Sequence, residues 1–203
     1  MAEAKTREHR QANDAFAGYP RTAQLNDGTS VTLRLMTPAD RNAVHDFACS
    51  LPEDDLLYLR IDITDPQVID EWVEHLKQNK TVTILAEGPK GEGVIGYGSL
   101  HYQEADWTRH LGEIRLQSAR AFRGKGLGRC LASSIFDIAR ALGLQKIIAR
   151  MTPDQQGARA TFERLGFHME ALLADYVIDR NGRTRDMLMM SHDVNGLTDR
   201  LDA

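Results

Sequence analysis

The chain reads as a mixed α/β (α+β) protein, a central sheet of about seven strands flanked by four main helices. Three observations carry that reading. Short apolar and β-branched runs are punctuated by Asp27-Gly28 and Asn181-Gly182, dipeptides suited to tight hairpins. Four longer segments repeat apolar residues every three or four positions, the spacing of a helix with one buried face. At Arg123-Gly124-Lys125-Gly126-Leu127-Gly128 a glycine loop stands where the strand period gives way to the helix period. With 203 residues, 42% of them hydrophobic and 27% charged, the chain can bury one core. We expect a lead at 1–20, one domain at 21–194 and a tail at 195–203.

Residues 22–25 and 30–35 form the first hairpin. Thr37 caps a helix that Pro38 opens and that runs to about Ser50, with Asp40 three residues after the cap. Residues 51–63 are irregular, a connector or the wall of a cleft. Asp65-Pro66 starts the second helix, whose buried stripe is Val68, Ile69, Trp72, Val73 and Leu76. Residues 81–86 and 94–101 are strands, and the Gly88 to Gly93 loop between them is a hairpin turn only, since no helix follows it. Residues 111–118 make a strand with Ile114, Leu116 and Ser118 on one face and Glu113, Arg115 and Gln117 on the other. Leu127, Leu131, Ile135, Ile138 and Leu142 mark the third helix, ended by Gly143. A short strand at 146–151 follows. Asp154 is the expected cap of the fourth helix, 158–165, and the strands 168–178 and 185–191 close the fold around Asn181-Gly182.

Charge and cysteine usage narrow the function classes. Lys and Arg number 25 against 29 Asp and Glu, a net charge of −4, which argues against a nucleic-acid partner. Cys49 and Cys130 have neither metal nor disulfide spacing and read as buried, reduced thiols. His101, His110 and His168 lack partners at ligand spacing, so no metal is expected. The absence of an apolar leader or a run of about 20 apolar residues leads us to expect a cytoplasmic protein without a membrane partner. Arg180, Arg183 and Arg185 read as a solvated hairpin tip, and Met187-Leu188-Met189-Met190 as core.

The glycine loop is an anion site by its position. Glycines let the backbone turn tightly, and the first amides of the following helix have no partner of their own. A diphosphate satisfies them, aided by the helix dipole. A dinucleotide fingerprint fails on spacing, because its third glycine falls on Arg129 or Leu131. A Walker loop fails because Gly124-Lys125 is followed by Gly126 and not by Ser or Thr.

The pattern R/Q-x-x-G-x-G, here Arg123 to Gly128, resembles the acetyl-CoA loop of the GNAT superfamily of N-acetyltransferases. Ala158, Phe162 and Arg164-Leu165-Gly166-Phe167 resemble its second signature, and the element order from Ser30 to Ser191 follows its plan. The resemblance implies a GNAT fold whose sheet splays at the site of acetyl-CoA, the co-substrate. Backbone groups of Leu116, Gln117 and Ser118 would pair with the pantetheine arm. Arg123, Gly124, Lys125, Gly126, Leu127, Gly128 and Arg129 would wrap the pyrophosphate, with Gln155, Ala158 and Phe162 completing the cofactor site. Glu113, ten positions before Arg123, stands where several branches place the carboxylate base, including bacterial protein lysine acetyltransferases.

Phe162 departs from the pattern, since many members carry a tyrosine there to protonate the leaving thiolate. Either no general acid is needed or a group such as Tyr176 serves. The segment 50–60 is also similar to the protein lysine branch. The expected activity is therefore acetyl transfer to a primary amine, on a protein lysine or a small molecule, by a monomer or homodimer. The alternative is a GNAT-fold module that binds CoA or a partner without turnover.

Overall fold

The computed structural model describes residues 16–56, 61–103 and 107–194. Residues 1–15 of the expected lead, the run Leu57-Tyr58-Leu59-Arg60 and the expected tail at 195–203 lie outside the described residues. The strands are β1 (Arg21–Gln24), β2 (Ser30–Leu35), β3 (Thr81–Glu87), β4 (Val94–Tyr102), β5 (Leu111–Ser118), β6 (Lys146–Met151), β7 (His168–Ile178) and β8 (Thr184–Asp193). The helices are α1 (Arg41–Ser50), the single turn α2 (Glu53–Leu56), α3 (Pro66–Lys77), α4 (Leu127–Ala141) and α5 (Gln156–Arg164). All eight strands join one sheet in the order β1-β2-β3-β4-β5-β6-β8-β7. That is one more than about seven, because the short β1 extends the edge by pairing from Arg21↔Leu33 to Gln24↔Ser30.

Local chemistry explains most element ends. Asp65 caps α3 by accepting from the Gln67 amide at 2.8 Å. Asp40 accepts from the Thr37 amide at 2.7 Å and so anchors the turn that leads into α1. Asp154 does not cap α5. Gln155 occupies that position, and the Asp154 carboxylate lies 3.5 Å from Arg185 Nη1.

Each face of the sheet has its own core. Leu131, Ile135 and Ile138 of α4 pack on Ile84, Leu100, Ile114 and Ile147, joined by Phe162 of α5. On the other face, Val44 and Phe47 of α1 and Ile69 and Trp72 of α3 cover Leu85 and Tyr97. Trp72 Nε1 donates to Thr83 Oγ1 at 3.1 Å, so its buried polar end is satisfied. Met187, Leu188 and Met190 are buried. Cys49 is exposed, not a buried thiol, because it lies beyond the Val44, Phe47 and Ala48 stripe of α1.

The feature that positions the site is a fork. All neighbouring strands are antiparallel except β5 and β6, which run parallel and pair at only three positions, Leu111↔Lys146, Gly112↔Ile147 and Glu113↔Ile148. Beyond Glu113, β5 follows β4 as far as Gly96↔Ser118, while β6 follows β8 to Met151↔Leu188. Each strand keeps the twist of its own antiparallel partner, and the two diverge.

Candidate active site

The open arm of the fork is an unpaired strand edge. The Ala119 amide donates to Ile95 O at 2.8 Å, which sets the phase of the β4–β5 ladder. Alternation then turns the main-chain groups of Gln117 toward Tyr97 of β4 and those of Leu116 and Ser118 into the fork. An extended chain laid along β5 meets donors and acceptors from Leu116 and Ser118. Gln117, expected to share that pairing, contributes no main-chain group to it.

β5 leads directly into the glycine loop. Gly124 and Gly126 have φ of 74° and 91°, the left-handed region that side chains disfavour. A Cβ on Gly126 would lie 2.9 Å from Asn26 Oδ1, and the Asn26 amide donates to Lys125 O at 2.8 Å, so the β1–β2 turn holds the loop in shape. The Cys130 amide bonds Gly126 O at 3.1 Å. The amides of Leu127, Gly128 and Arg129 precede the first complete turn, and Gly126 at the cap has no side chain to satisfy them. This is a cradle for an anion.

The cationic side chains of the loop are engaged elsewhere. Arg123 makes a two-pronged pair with Asp55 of α2, at 2.9 and 2.6 Å, and its Nη2 donates to Ser118 O at 3.3 Å. Lys125 lies 3.1 Å from Asp27 and over the Phe122 ring, turned toward the β1–β2 turn and away from the cleft. Hydrogen bonds from Thr29, aided by Lys125, hold the Asp27 carboxyl down to about 2. An anion here meets backbone amides and the exposed Arg129 before it meets Arg123 or Lys125.

A cleft of about 1330 Å³ runs from the fork past the loop and between α4 and α5. It brings together Leu116, Gln117, Ser118, Arg123, Gly124, Gly126, Leu127, Gly128, Arg129, Gln155, Ala158 and Phe162. Sequence reasoning missed its far wall, Ser133, Phe136, Asp137 and Arg140, of which Ser133, Asp137 and Arg140 continue the Arg129 face of α4 at helical spacing and were legible as a polar stripe. It also missed Asn26 and Asp55, which no local pattern marks. The Gln155 side-chain carbonyl accepts from the Thr152 amide at 3.1 Å. Phe162 is buried edge-to-face against Phe167, with ring centroids 4.8 Å apart. A strand edge that continues into an amide cradle fits the extended arm and diphosphate of acetyl-CoA.

Glu113 and Tyr176 stand outside that cleft. Glu113 sits at the apex of the fork on the sheet face opposite α4. Its carboxylate, 14% exposed, lies 3.3 Å from Arg115 Nε and 3.6 Å from Arg150 Nη1. Tyr176 is 62% exposed on β7, where the pairing with β8 shifts register between Leu173 and Val177. Tyr97, which pairs with Gln117 on the Glu113 face, packs against Phe47 and Trp72, and burial pushes its hydroxyl up to about 12.

The arginines of the last hairpin are largely structural, not a solvated tip. Arg180 pairs with Asp62 from the segment after α2. Arg185 Nε lies 3.0 Å from Asp179, whose side chain is 1% exposed and also accepts from the Asn181 and Arg183 amides. Arg183 is exposed at the tip. Among the described residues, no group of three His, Cys, Asp or Glu could hold a metal, and no helix is long and apolar enough to cross a membrane.

Three solved structures are similar over most of this chain. Spermidine N-acetyltransferase from Vibrio cholerae, in complex with CoA and spermine, is 22% identical, with 81% of this chain and 96% of that one covered at a TM-score of 0.67. Ribosomal-protein-alanine N-acetyltransferase from Brucella melitensis is 23% identical, with 79% and 98% covered at 0.66. Mycobacterium smegmatis RimJ in complex with CoA-disulfide is 19% identical, with 90% and 91% covered at 0.70. These likenesses show the shared fold. No curated protein sequence matches the chain. The acetyltransferase (GNAT) domain family matches residues 30–168, which include the fork, the amide cradle and most of the cleft, and this chain belongs to that acetyltransferase family.

Proposed function

We propose that the chain transfers the acetyl group of acetyl-CoA to a primary amine at the apex of the β5–β6 fork. The observation that carries this reading is the ending of the β5–β6 pairing at Glu113↔Ile148. It leaves an open strand edge that runs into an unsatisfied amide cradle at α4. In this reading Leu116 and Ser118 pair with the pantetheine arm, the Leu127, Gly128 and Arg129 amides hold the diphosphate, and the thioester rests beside Glu113.

The chemistry requires a neutral amine, and an ordinary alkyl amine, with a pKa of about 10.4, is mostly protonated at neutral pH. Glu113 takes the proton, directly or through water, as the nitrogen forms its bond to the acetyl carbon and the carbon–sulfur bond breaks. The thiolate leaves with a pKa of about 8.5 and takes a proton from water. Phe162, buried, has no hydroxyl to donate, and this route assigns no proton to the exposed Tyr176. Structural neighbours acting on spermidine and on ribosomal-protein alanine support an amine acceptor without naming this one.

Titration calorimetry with acetyl-CoA should give binding well below millimolar concentration, and incubation with amines should release free thiol above the hydrolysis background. A second reading, a CoA-binding module without turnover, draws on the missing hydroxyl at Phe162. Cofactor binding without thiol release from any amine or protein lysate would favour it.

A further inference from the structure

The geometry points to an acceptor amine that itself carries an oxyanion, a carboxylate or phosphate, a few bonds from the reacting nitrogen. This inference rests on the acetyltransferase reading and concerns the other side of the same site. Strand alternation places Glu113 and Arg115 of β5 and Arg150 of β6 on the face opposite α4, at the apex and along the two arms of the fork. One carboxylate lies between two guanidiniums, 3.3 Å from Arg115 and 3.6 Å from Arg150. Among the described residues that leaves an excess of positive charge where the acceptor must enter.

Several other acids among the described residues of these strands and their connections pair with other cations. Asp62 engages Arg180, while Asp179 and Asp154 lie 3.0 and 3.5 Å from Arg185. Glu170 and Asp193 lie 3.1 and 3.4 Å from Lys146. On β4 the next side chains are Ser99 and His101, with Ser99 Oγ 3.1 Å from His101 Nε2. The arginines are the more open members of the trio, with side chains 25% and 37% exposed against 14% for Glu113. Each guanidinium has five N–H donors in a planar fork, and a single shared carboxylate cannot use them all. A planar carboxylate or a phosphate matches what remains. A polyamine brings further positive charge to a site already in surplus and is disfavoured. Because both arginines touch Glu113, an amine at Glu113 and an oxyanion at the arginines belong to one short molecule.

The test uses the purified full chain, saturating acetyl-CoA and thiol-release kinetics on matched amines: glycine against methylamine, β-alanine against propylamine, O-phosphoethanolamine against ethanolamine, and spermidine. The oxyanion-bearing member of at least one series should exceed its parent at least tenfold in kcat/KM. The carboxylate and phosphate series tell which oxyanion is read. Arg115→Gln and Arg150→Gln should bring that ratio close to one through KM, with acetyl-CoA affinity by calorimetry within about twofold of wild type, and Arg150→Lys should restore part of it. Equal or better use of the parent amines or spermidine overturns the inference, as does a ratio that survives both variants or cofactor binding with no matched amine used. Failure to bind acetyl-CoA overturns the acetyltransferase reading itself.

Discussion

In the proposed reaction, Glu113 is where the chemistry and the charge balance of the site meet. Its position at the last paired residue of β5 puts the carboxylate at the point from which the two strands diverge. Glu113→Gln keeps the shape and most of the hydrogen bonding but removes the proton acceptor. Acetyl-CoA affinity should stay within about twofold while kcat falls by about 10²-fold or more, the usual worth of a positioned base. The loss should be greatest below the pH optimum, and an unchanged pH–rate profile would remove Glu113 from the mechanism. Gly126 carries a different constraint. At φ 91°, with Asn26 Oδ1 close by, Gly126→Ala forces both a left-handed alanine and a displaced turn. The backbone alone should cost about 1–2 kcal/mol, readable by urea denaturation, together with a weaker acetyl-CoA Kd.

At the scale of elements, the segment after α1 ties the two sides of the site together. Asp55 of α2 holds Arg123 beside the cradle, and Asp62 holds Arg180 at the β7–β8 turn. Asp55 also lines the cleft, so a carboxylate occupies a guanidinium that borders the proposed diphosphate site. Asp55→Asn should release Arg123 and remove a negative charge from the cleft. Calorimetry should show acetyl-CoA binding several-fold tighter at low salt, with the gain shrinking as ionic strength rises. Weaker binding would mean that Asp55 positions Arg123 productively and does not compete for it.

Across the whole molecule, the strands beyond the fork are tied by a partly exposed side-chain network. The Ser191 hydroxyl of β8 donates to Glu170 of β7 at 2.5 Å and Lys146 of β6 at 3.1 Å adds to it, which together hold the Glu170 carboxyl down to about 2. A carboxyl whose folded pKa lies below its ordinary 4.5 contributes stability above that value and loses it as pH falls toward about 2. Wild-type urea midpoints should therefore drop more between pH 6 and pH 3 than those of Glu170→Gln. Equal drops would show that Glu170 is not part of the acid limb.

The elements and the amide cradle were legible in the sequence, because both follow from local rules: hydrophobic period, turn glycines, and helix amides that lack partners. The Asp27-Gly28 and Asn181-Gly182 turns, the α4 stripe and the Arg123 to Gly128 spacing were all legible without neighbours. Only the tertiary structure decided which charges remain available. Arg123 and Lys125 read as diphosphate contacts and Arg180 and Arg185 as a solvated tip, yet the first three pair with Asp55, Asp27 and Asp62, all distant in sequence, and Arg185 with the nearby Asp179. The same holds for the fork, since strand divergence depends on which partner each strand follows. Arg150 reads as one residue of a short strand, and only parallel pairing of β6 beside β5 brings it to Glu113.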